Sequence, residues 1–128
     1  MSYSLNILEQ PGYLHFQVTG SNTLATVRGY LAEIHAACLA SGVSSVLIEE
    51  NLSGASLAIG EIFQIASAGS EATAPVINAI AYVDTNPEHD FLDMQFAETV
   101  AVTRGINIRM FESVSAAETW LRQRTVGR

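Results

Sequence analysis

The sequence contains no lysine. Its 6 basic residues are all arginine and stand against 13 acidic residues, for a net charge of −7 over 128 residues. Without lysine there is no Schiff-base amine and no phosphate-cradling P-loop lysine. An acidic chain also lacks the positive footprint that phosphate backbones and anionic membrane surfaces demand, so nucleic acid and membrane are excluded as expected partners. Cysteine is nearly absent too. The one residue, Cys38, has no internal disulfide partner, which fits a reducing compartment and a cytoplasmic location. No apolar run approaches the roughly 20 residues of a membrane-crossing helix. The opening segment MSYSLNILEQPG has neither a basic start nor a long apolar stretch, so no secretory signal is expected.

What is present is apolar: 48% of residues are hydrophobic and only 15% are charged. That composition predicts one packed domain over residues 1–128. Periodicities of two and of three to four alternate along the chain, which reads as strand and helix in turn. Ser4 to Glu9 and Tyr13 to Thr19 are strands joined by the turn Gln10-Pro11-Gly12. A helix carrying Leu24, Val27, Leu31, Ile34 and Cys38 on one stripe follows and ends at Ser41-Gly42. Val46 to Glu50 is a strand, and Leu57 to about Gly69 a helix with Ile59, Ile62, Phe63 and Ala66 inward. Ile77 to Val83 is a strand. Asp84-Thr85-Asn86-Pro87 reads as the start of a third helix, with Leu92, Phe96 and Val100 on one face. Ile106 to Phe111 is the last strand. Ser115 and Glu118 read as a capping box opening a final helix that buries Trp120 and Leu121. The predicted order is ββαβαβαβα, an α/β domain whose mixed five-stranded sheet is parallel wherever strands are joined through helices.

This layout, the loop Asn51-Leu52-Ser53-Gly54-Ala55-Ser56, and the C-terminal pattern Arg104-Gly105-Ile106, Met110-Phe111, Ala117-Glu118-Thr119-Trp120-Leu121 resemble small bacterial proteins of the STAS-like group. That group is named for sulfate transporters and anti-sigma-factor antagonists and is related in fold to the lipid-binding CRAL-TRIO domain. The resemblance implies a right-handed βα superhelix with consecutive strands adjacent and helices mainly on one face. The group's switch is a phosphorylated serine near the start of the helix after the third strand. Here Ile59 or Gly60 stands in that place, and Ser53 and Ser56 lie upstream. The chain therefore resembles an uncharacterised branch of the group.

No catalytic constellation stands out. Cys38 sits on an apolar stripe, where free cysteine is a common core residue. His15, His35 and His89 lack metal-ligand spacing and read as ordinary surface histidines. A His–Asp neighbourhood without a placed nucleophile is not a triad. No cofactor fingerprint of the G-x-G-x-x-G or Walker kind is present. Tyr30 and Tyr82 have no partner acid or base at a telling spacing. One acidic set is worth weighing. Glu49, Glu50, Asp84 and Glu112 fall at the carboxyl ends of the strands, where ligands gather in parallel sheets. They are solvated loop acids or ligands for Mg²⁺ or Ca²⁺.

Strand alternation assigns Leu14, Phe16, Val18, Val46, Ile48, Ile77, Ala79, Ala81, Val83, Ile106, Ile108 and Met110 to the face under the helices. The opposite face then shows Tyr13, His15, Leu47, Ile80, Tyr82, Arg109 and Phe111. Aromatics and arginine favour interface centres, so this face is expected to form a homodimer or dock a partner protein. The alternative is that the N-terminal strand or the chain ends fold across it. The leading expectation is a non-catalytic protein-interaction or regulatory module that lacks the group's phosphorylatable serine. A carrier for a small apolar molecule is the rival, and a metal-assisted hydrolase using the carboxyl-end acids a weaker one.

Overall fold

The computed structural model describes residues 3–73 and 76–126. Five strands form one sheet in the order β1-β2-β3-β4-β5. Strand β1 (Tyr3–Gln10) pairs antiparallel with β2 (Tyr13–Ser21), closing the predicted hairpin over Pro11-Gly12, where Gly12 takes φ 89°. Strands β3 (Ser45–Ser53), β4 (Ala79–Asp84) and β5 (Ile108–Phe111) continue the sheet in parallel. The four helices are α1 (Leu24–Ser41), α2 (Ile59–Thr73), α3 (Phe91–Thr103) and α4 (Val114–Val126). The element order and the sheet are those the sequence predicts. Among the described residues no helix is long and apolar enough to cross a membrane.

Helix α1 ends as expected. Gly42 adopts φ 75° and its N–H reaches the Cys38 carbonyl at 2.9 Å. Two other helix starts move. The Asp84-Thr85-Asn86-Pro87 segment is not a helix. Asp84 and Asn86 each accept a backbone N–H two residues on, at 3.0 and 2.9 Å, forming tight Asx turns, and α3 begins at Phe91 with Asp90 as its cap. Likewise Ser113, not Ser115, caps α4, with its hydroxyl 3.2 Å from the Ala116 N–H.

The register settles which side chains share a face. Across the sheet, Leu14 lies beside Val46, Val46 beside Ile80 and Ile80 beside Ile108; one step on run Phe16, Ile48, Tyr82 and Met110. These residues face α1, α2 and α3 and build the larger core with Val27, Tyr30 and Ile34. The other face carries Tyr13, Leu47, Ala79, Ala81 and Val83, and α4 lies on it through Ala117 and Leu121. The expected phase of β4 was therefore off by one residue. Ile80 and Tyr82 belong under the three helices, and Ala79, Ala81 and Val83 belong to the α4 face. The reason is physical: β4 is a central parallel strand covered on both faces, so it is apolar throughout and its alternation carries no phase.

The expected open interface is consequently not a surface. Tyr13 and Leu47 are 1% and 0% exposed beneath α4, and Ile80 is buried on the opposite side of the sheet. Phe111 packs on Trp120 with ring centroids 5.7 Å apart. The Arg109 and Arg124 guanidiniums lie 6.0 and 5.3 Å from the Trp120 ring. The chain end folds over the face, as the alternative had it. Helix faces shift too: Ile59 and Phe63 of α2 and Leu92 of α3 are exposed, while Ile62, Ile65, Met94 and Ala97 turn inward.

The docking of α4 can be tested. Leu121 is 1% exposed, so Leu121→Ala is expected to cost about 2–5 kcal/mol in urea melts. Ala81→Leu, which forces bulk between β4 and α4, is expected to cost about 1–3 kcal/mol by overpacking.

Candidate functional site

Helices α1, α2 and α3 do not close fully on the sheet. Between them lies a cavity of about 160 Å³, walled mainly by apolar side chains such as Val27, Leu31, Ile48, Ile62, Ile65 and Ala97. Its polar groups converge from three elements. Glu50 of β3 points into it, although the residue is only 4% exposed. The hydroxyls of Tyr30, from α1, and Tyr82, from β4, both donate to Glu50 Oε2, and their oxygens lie 2.9 Å apart. Oε1 of Glu50 has no hydrogen-bond partner among the described residues. Burial pushes the Glu50 carboxyl above its ordinary range. The two tyrosine hydrogen bonds oppose that rise, nearby Asp84 adds to it, and His89 opposes it. The same burial, reinforced by Glu50, holds both tyrosine hydroxyls well above the usual phenol value.

Beside this trio sits a second one. His89 Nδ1 donates to Asp84 Oδ2 at 2.6 Å, and Nε2 donates to the Gly54 carbonyl at 2.8 Å. The His89 side chain is 4% exposed and Asp84's is 7%. Acceptors on both nitrogens favour the imidazolium form of the ring. Burial opposes that charge, but the Asp84 hydrogen bond, the Gly54 carbonyl and the charges of Asp84 and Glu50 outweigh it and raise the His89 pKa. This pair ties the loop after β3 to the loop after β4. Asn86 adds a bond from its side-chain amide to the Leu52 carbonyl at 2.8 Å, and Asn22 reaches the Ala55 carbonyl at 2.8 Å. Gly54, at φ 103°, lets the loop turn back so that its carbonyl meets His89.

An Asp–His pair next to Ser56, which also lines the cavity, invites comparison with a catalytic triad. The comparison fails at Nε2. That nitrogen would have to take a proton from a nucleophile, and here it is spent on Gly54. His89 is a structural clamp, and the expectation of an ordinary surface histidine is corrected. His15 is corrected likewise: it is 6% exposed, and its Nε2 lies 2.8 Å from Glu49 Oε1 on the α4 side of the sheet. Half-buried His35 lies on α1. Cys38 is buried at 2% exposure, and that burial pushes its thiol pKa up, as a core residue requires.

The four carboxyl-end acids part company. Glu49 and Glu50 are neighbours on β3 and therefore point to opposite faces. Glu49 joins His15 and Gln17, Glu50 and Asp84 meet at the cavity, and Glu112 is solvent-exposed. Among the described residues no group of three or more His, Cys, Asp or Glu side chains could hold a metal ion. Sequence reading missed the association of Tyr30, Glu50 and Tyr82. Its members are 20 and 32 residues apart, and no local pattern marks them. The one available signal was Glu50 standing in phase with the apolar Val46 and Ile48 of the same strand.

No protein-family model matches the chain, and no curated protein matches its sequence. Its fold is shared with a solved structure, an anti-sigma factor antagonist from Mycobacterium paratuberculosis. The two superpose with a TM-score of 0.65 over 94% of this chain and 95% of that one, at 15% sequence identity. The chain thus has a STAS-like fold.

Two pH effects follow from the cavity. Glu50 and His89 both carry folded-state pKa values above their unfolded values of about 4.5 and 6.5. The stability each contributes is complete below its unfolded pKa and is lost as pH rises through the folded one. In urea melts from pH 4 to 8, wild-type stability is expected to decline relative to Glu50→Gln from about pH 4.5 upward. Relative to His89→Gln the decline begins above about pH 6.5. Parallel curves for wild type and both variants would show that neither group is perturbed.

Proposed function

We propose that this chain is a non-catalytic regulatory binding module whose working site is the cavity under α1, α2 and α3, holding a small apolar molecule. The observation that carries this reading is the cavity itself: apolar walls with a few convergent buried polar groups are the form that small-molecule sites take. The absence of catalysis is part of the proposal. It is supported by the engagement of His89 on both nitrogens and by the burial of Cys38.

A protein partner is the second reading, favoured by the fold shared with an anti-sigma factor antagonist. Ile59 and Gly60, the first two residues of α2, stand where the resemblance implies a switch serine, so partner binding here would not be set by phosphorylation at that place. The exposed side chains of Ile59 and Phe63 on the same helix supply apolar contact area. The burial of Tyr13 and Leu47 under α4, and of Ile80 on the opposite side of the sheet, speaks against a homodimer through the expected face of Tyr13, His15, Leu47, Ile80, Tyr82, Arg109 and Phe111.

The carrier reading is tested by native mass spectrometry after mild purification. An added mass is expected on the wild-type protein and should be absent from Ala97→Phe, which fills the cavity. If the protein carries no added mass, and no apolar probe raises its melting temperature, it does not bind through this cavity.

A further inference from the structure

The polar floor of the cavity has a direction. A tyrosine hydroxyl has one proton to give, and both tyrosines give theirs to Glu50 Oε2. Neither has a donor left for a guest. Oε1 of Glu50 remains, an oxygen on a nearly fully buried side chain that lines the cavity and has no partner among the described residues. Oε1 opens onto the cavity and is not sealed away, so it is free to accept a hydrogen bond from a guest, and the apolar chamber strengthens such a bond.

The charges around the cavity point the same way. Glu50, Asp84, Asp90 and Asp93 all line it, and neither arginine nor lysine does. His89 is the one cationic side chain there, and both its nitrogens are already engaged by Asp84 and Gly54. Asp90 is exposed and stands at the outer edge. A carboxylate-headed guest such as a fatty acid would meet four acids and no free cation. A guest with a positive head would meet a funnel of its opposite charge. The apolar part is bounded by volume: about 160 Å³ is close to the size of cavity that holds one benzene ring.

We propose that the cavity binds a small apolar amine: a body about the size of one aromatic ring, with an ammonium or other N–H donor head seated on Glu50 Oε1. This rests on the carrier reading and specifies its ligand class. The bound cation would hold Glu50 ionised and offset the burial that otherwise favours its neutral form. Asp84 and Asp93 would add to the field at the head, and His89 would subtract from it.

Three probes of nearly equal shape and different charge test it: 2-phenylethylammonium, 2-phenylethanol and phenylacetate, titrated by calorimetry into the whole protein at pH 7. The ammonium probe is expected to bind at least ten-fold more tightly than the alcohol, with phenylacetate weakest. The preference should shrink with added salt. Glu50→Gln is expected to abolish the preference for the ammonium over the alcohol. Asp90→Asn, at the exposed edge and independent of the buried trio, should lower ammonium affinity about two- to three-fold. If the alcohol or phenylacetate binds as well as the ammonium, the head-group assignment is wrong and the apolar cavity stands. If none of the three binds and none raises the melting temperature, both the cavity reading and this inference fall.

Discussion

Strands β3 and β4 have no free face, and the rest of the architecture answers to that constraint. A parallel strand at the centre of a sheet must find apolar cover above and below. Here three helices supply it on one side and α4 alone on the other. The two sides solve the packing differently. Under α4, β4 presents only Ala79, Ala81 and Val83, so one helix can lie close and seal the face through Ala117 and Leu121. On the other side β4 presents Ile80 and Tyr82 toward three helices that leave a chamber between them.

That chamber is where the chain spends its polar groups against the ordinary rules of a core. Glu50 continues the row of Val46 and Ile48 and so must point into the apolar layer, because side chains two apart share a face. Its burial is supported by two phenol hydroxyls, one from a helix and one from the neighbouring strand. The adjacent Asp84–His89 pair performs a different task in the same space. It fastens the β3–α2 loop to the β4–α3 loop at Gly54, and so fixes the rim of the cavity. The first trio leaves Glu50 Oε1 facing the cavity, whereas both nitrogens of His89 are engaged in holding the two loops together.

Much of the fold was legible because it follows from local rules. The turn at Pro11-Gly12, the stripe of Val27, Ile34 and Cys38, the stop at Gly42 and the alternation of β2 each report on a few neighbouring residues. Errors arose where two local rules competed or where a pattern was degenerate. Asp84-Thr85-Asn86-Pro87 satisfies a helix start and a pair of Asx turns equally well on paper. The turns prevailed because Asp84 and Asn86 also hold His89 and the Leu52 carbonyl. Helices α2 and α3 carry large apolar residues on more than one side, so their inward faces could not be told from Ile59, Phe63 and Leu92 on the outside.

The amino-acid order by itself determined the element sequence, the β1–β2 hairpin and the exclusion of lysine-dependent chemistry, since each depends on composition or on spacing within neighbouring segments; the adjacency of the other strands was implied by the family resemblance. Only the tertiary structure decided the phase of β4, the covering of its second face by α4, and the meeting of Tyr30, Glu50 and Tyr82. Register between strands and contact between distant helices are set by how whole surfaces fit, and a strand that is apolar on both sides gives no sign of which neighbour each side will meet.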